Sequence, residues 1–285
     1  MSSPSDETFP HNYLSTSPAH GVPGQHFLYA APLRSPSPIL LDLPIPAPKS
    51  RERYAGYVWN ASVLLADKIA GGEIAVEGKT VLELGCGLGL PGIVAARTGA
   101  KQVLLSDYDD PEALSDTQAA VEEALPPSLS QRCIVVGHSW GTATNPLLEI
   151  APHVDLILIA DCVWERALHI KLITSLRALL YANPQATVHF ASGFHTGRKA
   201  VADFLTQAAA AGVVPSPPND WIELSVEGEC RPWDWSRCGR AELAKLGGKD
   251  KNDLSSQTGR AFQTEERQEE RNRWTLYGTL RLRIG

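Results

Sequence analysis

Residues 81–92 read Val-Leu-Glu-Leu-Gly-Cys-Gly-Leu-Gly-Leu-Pro-Gly. Together with Thr80, the apolar start of this stretch predicts a short buried strand at residues 80–84, and the proline at position 91 is typical of the first turn of a helix. Between them, Gly87, Gly89 and Gly92 follow the spacing Gly-x-Gly-x-x-Gly, in which the glycines let the backbone approach a ligand closely. The order of strand, glycine turn and helix therefore predicts a ligand site at the end of a strand.

Strands and helices alternate along the central part of the chain. Further strands are predicted at residues 102–106, 132–137, 154–160 and 187–191. Helices are predicted at residues 54–71, 91–98, 111–125, 168–181 and 197–211. This alternation implies right-handed crossovers and an α/β fold whose mostly parallel sheet is covered on both faces. Residues 221–226 and 274–283 look like strands with no helix between them, which favours an antiparallel edge hairpin.

Two segments lie outside this pattern and are expected to be disordered. Ten of the 21 prolines fall in residues 1–50, where each removes a backbone donor and disfavours a helix before it. Residues 236–273 carry runs of charge and too few apolar residues to pack a core, so we expect a largely disordered insertion with one charged helix. The sequence thus predicts a Pro-rich disordered tail at 1–50 and a single domain at 51–285.

Charge and cysteine content argue against several classes of protein. Lys and Arg total 26 against 32 for Asp and Glu, and the net charge of -6 has the wrong sign for a nucleic-acid partner. The five cysteines include no Cys-x-x-Cys pair and the histidines no His-x-x-x-His pair, so we expect neither a disulfide framework nor a metal site. No stretch approaches the roughly 18 apolar residues of a membrane span, and no signal peptide is evident. We therefore expect a cytoplasmic monomer without a membrane partner.

Two acidic residues bear on the kind of ligand. Asp107 lies twenty residues beyond Gly87 at the end of the next predicted strand, where a carboxylate can accept hydrogen bonds from both hydroxyls of a ribose. That arrangement also occurs in dinucleotide folds, which remain an alternative. Glu83 lies two residues before the first glycine, where a dinucleotide would place its phosphates. A carboxylate there suits the cationic sulfonium and amino group of S-adenosylmethionine better.

A second pattern is typical of a hydrolase. Residues 137–141, Gly-His-Ser-Trp-Gly, have the spacing of a nucleophile elbow that would present Ser139, and Asp161 and His189 or His195 follow in the order of a hydrolase triad. The residues after position 141 are a poor helix start, and no oxyanion segment lies upstream. A hydrolase is therefore a remote alternative.

Several motifs together carry a resemblance to a known family. Residues 83–89 resemble the first motif of seven-strand methyltransferases. The chain around them resembles methyltransferase family 16 at residues 56–61 (Gly-Tyr-Val-Trp-Asn-Ala), 106–111 (Ser-Asp-Tyr-Asp-Asp-Pro), 139–141 (Ser-Trp-Gly) and 159–164 (Ile-Ala-Asp-Cys-Val-Trp). Residues 193–197 (Gly-Phe-His-Thr-Gly) resemble the fungal branch of elongation factor methyltransferase 7 and nicotinamide N-methyltransferase-like proteins. The resemblance implies a Rossmann-like, class I sheet of seven strands, S-adenosyl-L-methionine as cofactor, and methyl transfer to nitrogen.

The resemblance also implies which residues contact the cofactor. These are Trp59, Gly85, Gly87, Asp107, Trp140 and Ala160. From the same segments we add Glu83, Cys86, Gly89 and Tyr108 as candidates. An indole offers a large rigid face, so Trp140 is expected to stack on the adenine and Trp59 to shield the cofactor or the acceptor.

The acceptor is expected at the residues that follow the fourth strand of the family's sheet. Asp161 and Trp164 could together hold an amine between a carboxylate and an aromatic face, although an Asp that caps the next helix is the simpler interpretation. Lysine-modifying relatives usually have Tyr or Phe where this chain has Trp164. The resemblance favours an amine of translation elongation factor 1-alpha, at its N-terminus or a lysine, with a small pyridine such as nicotinamide as the alternative. A cofactor-binding scaffold without catalysis is a further, more remote alternative.

Overall fold

The computed structural model describes residues 17–32, 38–47, 54–218, 220–238 and 266–283. Its strands are β1 (Ala19–His20), β2 (His26–Ala30), β3 (Leu40–Pro44), β4 (Val58–Trp59), β5 (Thr80–Leu84), β6 (Gln102–Asp107), β7 (Cys133–Gly137), β8 (Leu156–Ala160), β9 (Thr187–Gly193), β10 (Val213–Pro215), β11 (Ile222–Ser225), β12 (Cys230–Pro232) and β13 (Trp274–Leu282). Its α-helices are α1 (Asn60–Ala70), α2 (Leu90–Arg97), α3 (Pro111–Ala124), α4 (Pro127–Ser130), α5 (Asn145–Ile150), α6 (His169–Ala182), α7 (Arg198–Ala210) and α8 (Gln268–Asn272).

One sheet of nine strands organises the described part of the chain. Its order is β12-β11-β13-β9-β8-β5-β6-β7, and β10 pairs with β13 beside this path. The strands from β9 to β7 are parallel to their neighbours, whereas β13 is antiparallel to both β9 and β11. The mostly parallel sheet and its antiparallel edge are therefore confirmed, and the short strands β10 and β12 are added to the seven expected.

Strand order places a crevice in the middle of the sheet. The chain runs outward from β5 through β6 to β7, and then returns to β8 on the opposite side of β5. The connection after β5 leads to one side of the sheet and the connection after β8 leads to the other. Where neighbouring strands connect in opposite directions, a crevice opens at their carboxyl ends. The loops after β5, β6 and β8 therefore surround one site.

Alternating side chains of the central strands feed two cores on opposite faces of the sheet. On β5, Val81 packs with α1, α2 and α3, whereas Leu82 and Leu84 pack with α6 and α7. Every residue of β5 and β8 is buried, which explains why both strands read as nearly continuous apolar runs. Glu83 is the charged exception in the middle of β5.

The prediction of a disordered tail at residues 1–50 is wrong for residues 17–32 and 38–47, which the structure describes. Strands β2 and β3 pair as an antiparallel hairpin that packs against α3. Its inward side chains, Phe27, Tyr29, Leu41 and Leu43, are buried, and each contributes roughly 1.5–3 kcal/mol by leaving water. Apart from Pro44 at the end of β3, the prolines lie outside these strands. Within the strands, buried and exposed side chains alternate, a pattern that the prediction from proline content did not take into account. The rest of the predicted tail lies outside the described residues.

The predicted insertion is described only at its ends. A 3₁₀ turn at Trp235–Cys238 overlaps its start and α8, the one charged helix expected there, lies near its end. Residues 239–265 lie outside the described part of the chain. The helix predicted at 54–71 begins later than expected, at Asn60, after a 3₁₀ turn at Tyr54–Gly56 and the short strand β4. Among the residues described, no helix has the length and hydropathy needed to cross a membrane.

Candidate active site

A cavity of about 280 Å³ opens at the carboxyl ends of the central parallel strands. Its wall is formed by the loops after β5, β6, β7 and β8 and by the segment that leads into α1. Concave sites lined mainly by apolar groups, with a few convergent polar ones, are where small ligands bind in α/β proteins. All but one of the residues predicted from the sequence line this cavity.

The glycine loop forms the floor of the cavity through Gly85, Cys86, Gly87 and Gly89. Gly85 has φ +67°, a left-handed conformation that favours glycine. A Cβ atom there would lie 2.6 Å from the Trp140 ring and 2.7 Å from the sulfur of Cys162. Gly85 is therefore required both by its backbone angle and by the close approach of the loops after β7 and β8.

The carboxylate of Asp107 is tied to the same loop. Gly87 N–H donates to Oδ2 of Asp107 at 2.7 Å, and Tyr108 N–H donates to Oδ1 at 2.7 Å. Burial raises the pKa of Asp107, and the two backbone hydrogen bonds oppose that effect. Each oxygen keeps a second lone pair, so Asp107 can still accept hydrogen bonds from a diol in the cavity. Tyr108 lines the mouth and is exposed.

Glu83 is the predicted cofactor residue that lies elsewhere. Its fully buried side chain sits behind the glycine loop, where Oε2 accepts a 2.8 Å hydrogen bond from Gly92 N–H in the first turn of α2. Within the described structure Oε1 has no hydrogen-bond partner, and burial raises the pKa of Glu83 to about 8. Glu83 therefore joins β5 to α2, and its position does not favour the direct cofactor contact expected from the sequence.

Trp140 lines the cavity from a turn that a helix residue holds in place. The buried hydroxyl of Ser175, on α6, accepts from Gly141 N–H at 2.9 Å and bonds to Nε2 of His138 at 2.9 Å. Burial lowers the pKa of His138, which favours the neutral ring as hydrogen-bond acceptor. Sequence reasoning missed Ser175, whose signal is a lone hydroxyl on an otherwise apolar helix face.

The hydrolase alternative is not assembled in the described residues. Ser139 lines the cavity, but His189 bonds to Tyr277, and His195, although near Asp161, has no hydrogen bond to Ser139 in the described structure. The helix after this turn begins only at Asn145, so the strand-turn-helix of a nucleophile elbow does not form.

Asp161 and Trp164 also line the cavity, after β8 and therefore on the opposite side of β5 from Asp107. Asp161 has φ +57°, and its Oδ1 accepts a 3.1 Å hydrogen bond from Gly193 N–H on β9. The capping alternative is wrong, because Glu165 caps the following 3₁₀ turn instead. Trp164 is 37% exposed at the mouth.

The carboxylate of Asp161 has an unmet hydrogen-bonding position. Its Oδ2 is buried without a hydrogen-bond partner in the described structure, 3.8 Å from Nδ1 of His195. Burial raises the pKa of Asp161, and the nearby His195 opposes that effect. The ring of His195 stacks on the ring of Trp59 with their centroids 4.9 Å apart, and Trp59 lines the cavity. This side of the cavity can accept a hydrogen bond from a cationic or neutral amine.

Comparison with known proteins agrees with this geometry. The family model described as lysine methyltransferase, methyltransferase family 16, matches residues 44–210. A protein of Schizosaccharomyces pombe named protein N-terminal and lysine N-methyltransferase efm7 is 32% identical over 161 residues, covering 55% of this chain and 62% of the relative. The protein of the same name in Aspergillus fumigatus is 35% identical over 138 residues, covering 46% and 53%. The match thus spans little more than half the length of these curated relatives.

A comparison of folds leads to the same architecture. The crystal structure of the [4+2]-cyclase SpnF superposes with a TM-score of 0.50 at 16% identity, covering 82% of this chain and 86% of that one. At this identity the likeness shows the fold alone. Because the family model covers more than half of the sequence, including every loop that lines the cavity, the chain belongs to the lysine methyltransferase family, methyltransferase family 16.

Proposed function

We propose that this protein is an S-adenosyl-L-methionine-dependent N-methyltransferase that acts on a protein amine. The observation that carries the proposal is the presence in one cavity of two carboxylates, at the ends of the two strands that flank β5. Asp107, after β6, is fixed by the glycine loop, and Asp161, after β8, has a buried oxygen without a described hydrogen-bond partner. The first suits a ribose and the second suits an amine.

The residues present fit this cofactor. The lone pairs left on Asp107 suit the ribose hydroxyls, the Trp140 ring offers a face for the adenine, and Gly85 allows close backbone approach. When bound, S-adenosylmethionine supplies an electrophilic methyl group on a sulfonium. The chain's own contribution is to hold the acceptor nitrogen in line with that methyl group and to exclude water, which together provide most of the catalysis in such a displacement.

The acceptor nitrogen must be neutral to attack. At pH 7, removing its proton costs an unperturbed lysine roughly 4–5 kcal/mol and an α-amine only about 1 kcal/mol, from their reference pKa values. Asp161 can accept a hydrogen bond from the amine as it loses its charge, and Trp164 and Trp59 offer aromatic faces beside it. The smaller free energy of deprotonation favours an N-terminal α-amine as acceptor and also permits a lysine.

The partner is proposed to be translation elongation factor 1-alpha, methylated in the cytoplasm by a monomeric enzyme. Two relatives are named for both N-terminal and lysine methylation, which supports a protein substrate. The net charge of -6 suits a cationic polypeptide and disfavours nucleic acid. Nicotinamide, which needs no deprotonation, is the second candidate because two tryptophans line the acceptor side of the cavity.

Transfer of labelled methyl groups tests this proposal. The purified protein is incubated with labelled S-adenosylmethionine and either elongation factor 1-alpha or nicotinamide, with Asp161→Asn as the site variant. Asp220→Asn, an exposed Asp outside the cavity wall, is the matched control. We expect label in the protein, reduced by Asp161→Asn and unchanged by Asp220→Asn. Label in nicotinamide alone would transfer the proposal to the small pyridine, and no label in either would contradict it.

A further inference from the structure

His195 lies beside the part of the cavity wall formed by Trp59 and Asp161, and does not itself line the cavity. Its ring contacts two residues of that wall. It stacks on Trp59 with an interplanar angle of 28°, and its Nδ1 lies 3.8 Å from Oδ2 of Asp161. No other residue contacts both groups in this way in the described interactions.

The loop that carries His195 is fixed on both sides. The preceding residue, Phe194, is fully buried and stacks on Trp233 with ring centroids 5.6 Å apart. At the start of α7, the guanidinium of Arg198 lies 4.0 Å from the Phe194 ring. It forms a buried ion pair with Glu223 at 2.7 Å and a partly buried one with Glu266 at 2.6 Å. The position of His195 is therefore set by the fold.

Two polar atoms face each other in this arrangement without a hydrogen bond. Oδ2 of Asp161 and Nδ1 of His195 are both buried, and neither has a partner in hydrogen-bonding geometry among the described residues. The Ser192 hydroxyl lies near the Asp161 carboxylate and opposes the rise in its pKa, but it leaves Oδ2 without a formed hydrogen bond. A separation of 3.8 Å is too long for a hydrogen bond, yet a movement of about 1 Å would form one. Buried polar groups are rarely left unpaired, so a contact that forms when the acceptor binds accounts for both atoms.

We propose that His195 is a positioning residue for the acceptor. Its Nδ1–H donates to Oδ2 of Asp161 and orients the carboxylate toward the incoming amine, while its ring supports the indole of Trp59. The proposal rests on the proposed methyl transfer to an amine. It goes beyond that function because it assigns acceptor positioning to a residue that does not line the cavity.

Two substitutions separate the polar role of His195 from its role in packing. His195→Phe keeps a ring against Trp59 but removes the Nδ1 donor. His195→Asn removes the ring but can place an amide N–H close to the position of Nδ1. A positioning role requires that His195→Asn retain more activity than His195→Phe, whereas simple packing requires the opposite order. His153→Phe is the matched control, because His153 forms an exposed 3.0 Å pair with Asp155.

The experiment measures kcat and KM for elongation factor 1-alpha and, by calorimetry, the affinity for S-adenosylmethionine. We expect His195→Phe to lower kcat/KM for the acceptor by about tenfold or more, the effect of losing a charge-assisted hydrogen bond. Cofactor affinity should stay within about twofold of the wild type, since the interaction serves the acceptor. Affinity for the acceptor in the presence of S-adenosylhomocysteine should fall in parallel, which gives a readout independent of turnover.

Each outcome decides the matter. An active wild type with an unchanged His195→Phe variant, or with His195→Asn as the weaker of the two, overturns the positioning role alone. A wild type that methylates no amine overturns the proposed function and, with it, this inference.

Discussion

Gly87 N–H donates a 2.7 Å hydrogen bond to Oδ2 of Asp107, which joins the glycine loop after β5 to the end of β6. The carboxylate and the loop therefore form one binding unit, although twenty residues separate them in the sequence. Because of this hydrogen bond, the glycine loop and Asp107 are both needed to form the ribose site.

Replacing Asp107 should weaken cofactor binding. We expect Asp107→Ala to reduce the affinity for S-adenosylmethionine by about 1.5–3 kcal/mol, the value of hydrogen bonds to a charged group. Calorimetry measures the change, and Asp107→Asn should lose less because its amide oxygen still accepts one bond. Wild-type affinity in Asp107→Ala would refute the placement of the ribose.

Gly85→Ala should damage the site beyond its cost in backbone strain. Gly72→Ala is the control, because Gly72 has φ +77° and an added Cβ there would meet nothing within 4 Å. The Gly72→Ala variant should therefore lose only the backbone strain energy of about 1–2 kcal/mol. At Gly85 the new methyl group would in addition displace Trp140. Thermal unfolding should show a larger loss for Gly85→Ala, and calorimetry should show that only this variant binds the cofactor poorly. Equal behaviour of the two variants would contradict the close packing at Gly85.

Glu83 should make the stability of the protein depend on pH. Its pKa is raised from 4.5 to about 8, so that between these values the folded state holds a proton that the unfolded state releases. The stabilisation is complete below pH 4.5 and is lost as pH rises through 8. Relative to Glu83→Gln, which stays neutral, the wild type should lose on the order of 4–5 kcal/mol across this window, at about 1.36 kcal/mol per pKa unit. Urea unfolding at several pH values measures the difference, and parallel curves would show that Glu83 is not buried as described.

The hairpin formed by β2 and β3 should contribute to global stability. Leu41→Ala, at a buried position, should cost about 2–5 kcal/mol. The neighbouring Leu40→Ala, at a position 66% exposed, should change stability by no more than about 0.5 kcal/mol. Urea unfolding compares the two variants. Equal stabilities would support the disordered tail expected from the sequence.

Local sequence patterns predicted the centre of the fold well. The predicted strand at residues 80–84 is observed with the same bounds, because a buried parallel strand is a continuous apolar run between clear turn signals. The predicted helix at 111–125 ends one residue earlier in the structure, after Ala124. The separation of twenty residues from Gly87 also predicted correctly that Asp107 stands at the end of the second strand of the pattern, β6.

Contacts between distant segments were beyond sequence reasoning. The approach of Asp161 to Gly193 and His195 depends on the pairing of β8 with β9, which no local pattern encodes. The sequence also does not reveal on which side of β5 the Glu83 side chain lies, because a strand buried on both faces lacks the alternation that would indicate it. The β2–β3 hairpin was missed because proline content outweighed a short period-two signal.

Peptide mapping by mass spectrometry is the decisive measurement of methyl transfer to a protein amine. Elongation factor 1-alpha is incubated with the wild-type protein and deuterated S-adenosylmethionine, and its peptides are then searched for labelled methyl groups. We expect label on the N-terminal α-amine or on a lysine, and much less label when Asp107→Ala replaces the wild type at a cofactor concentration that does not saturate the variant. Unlabelled elongation factor, under conditions in which the wild type methylates nicotinamide, would contradict methyl transfer to a protein amine.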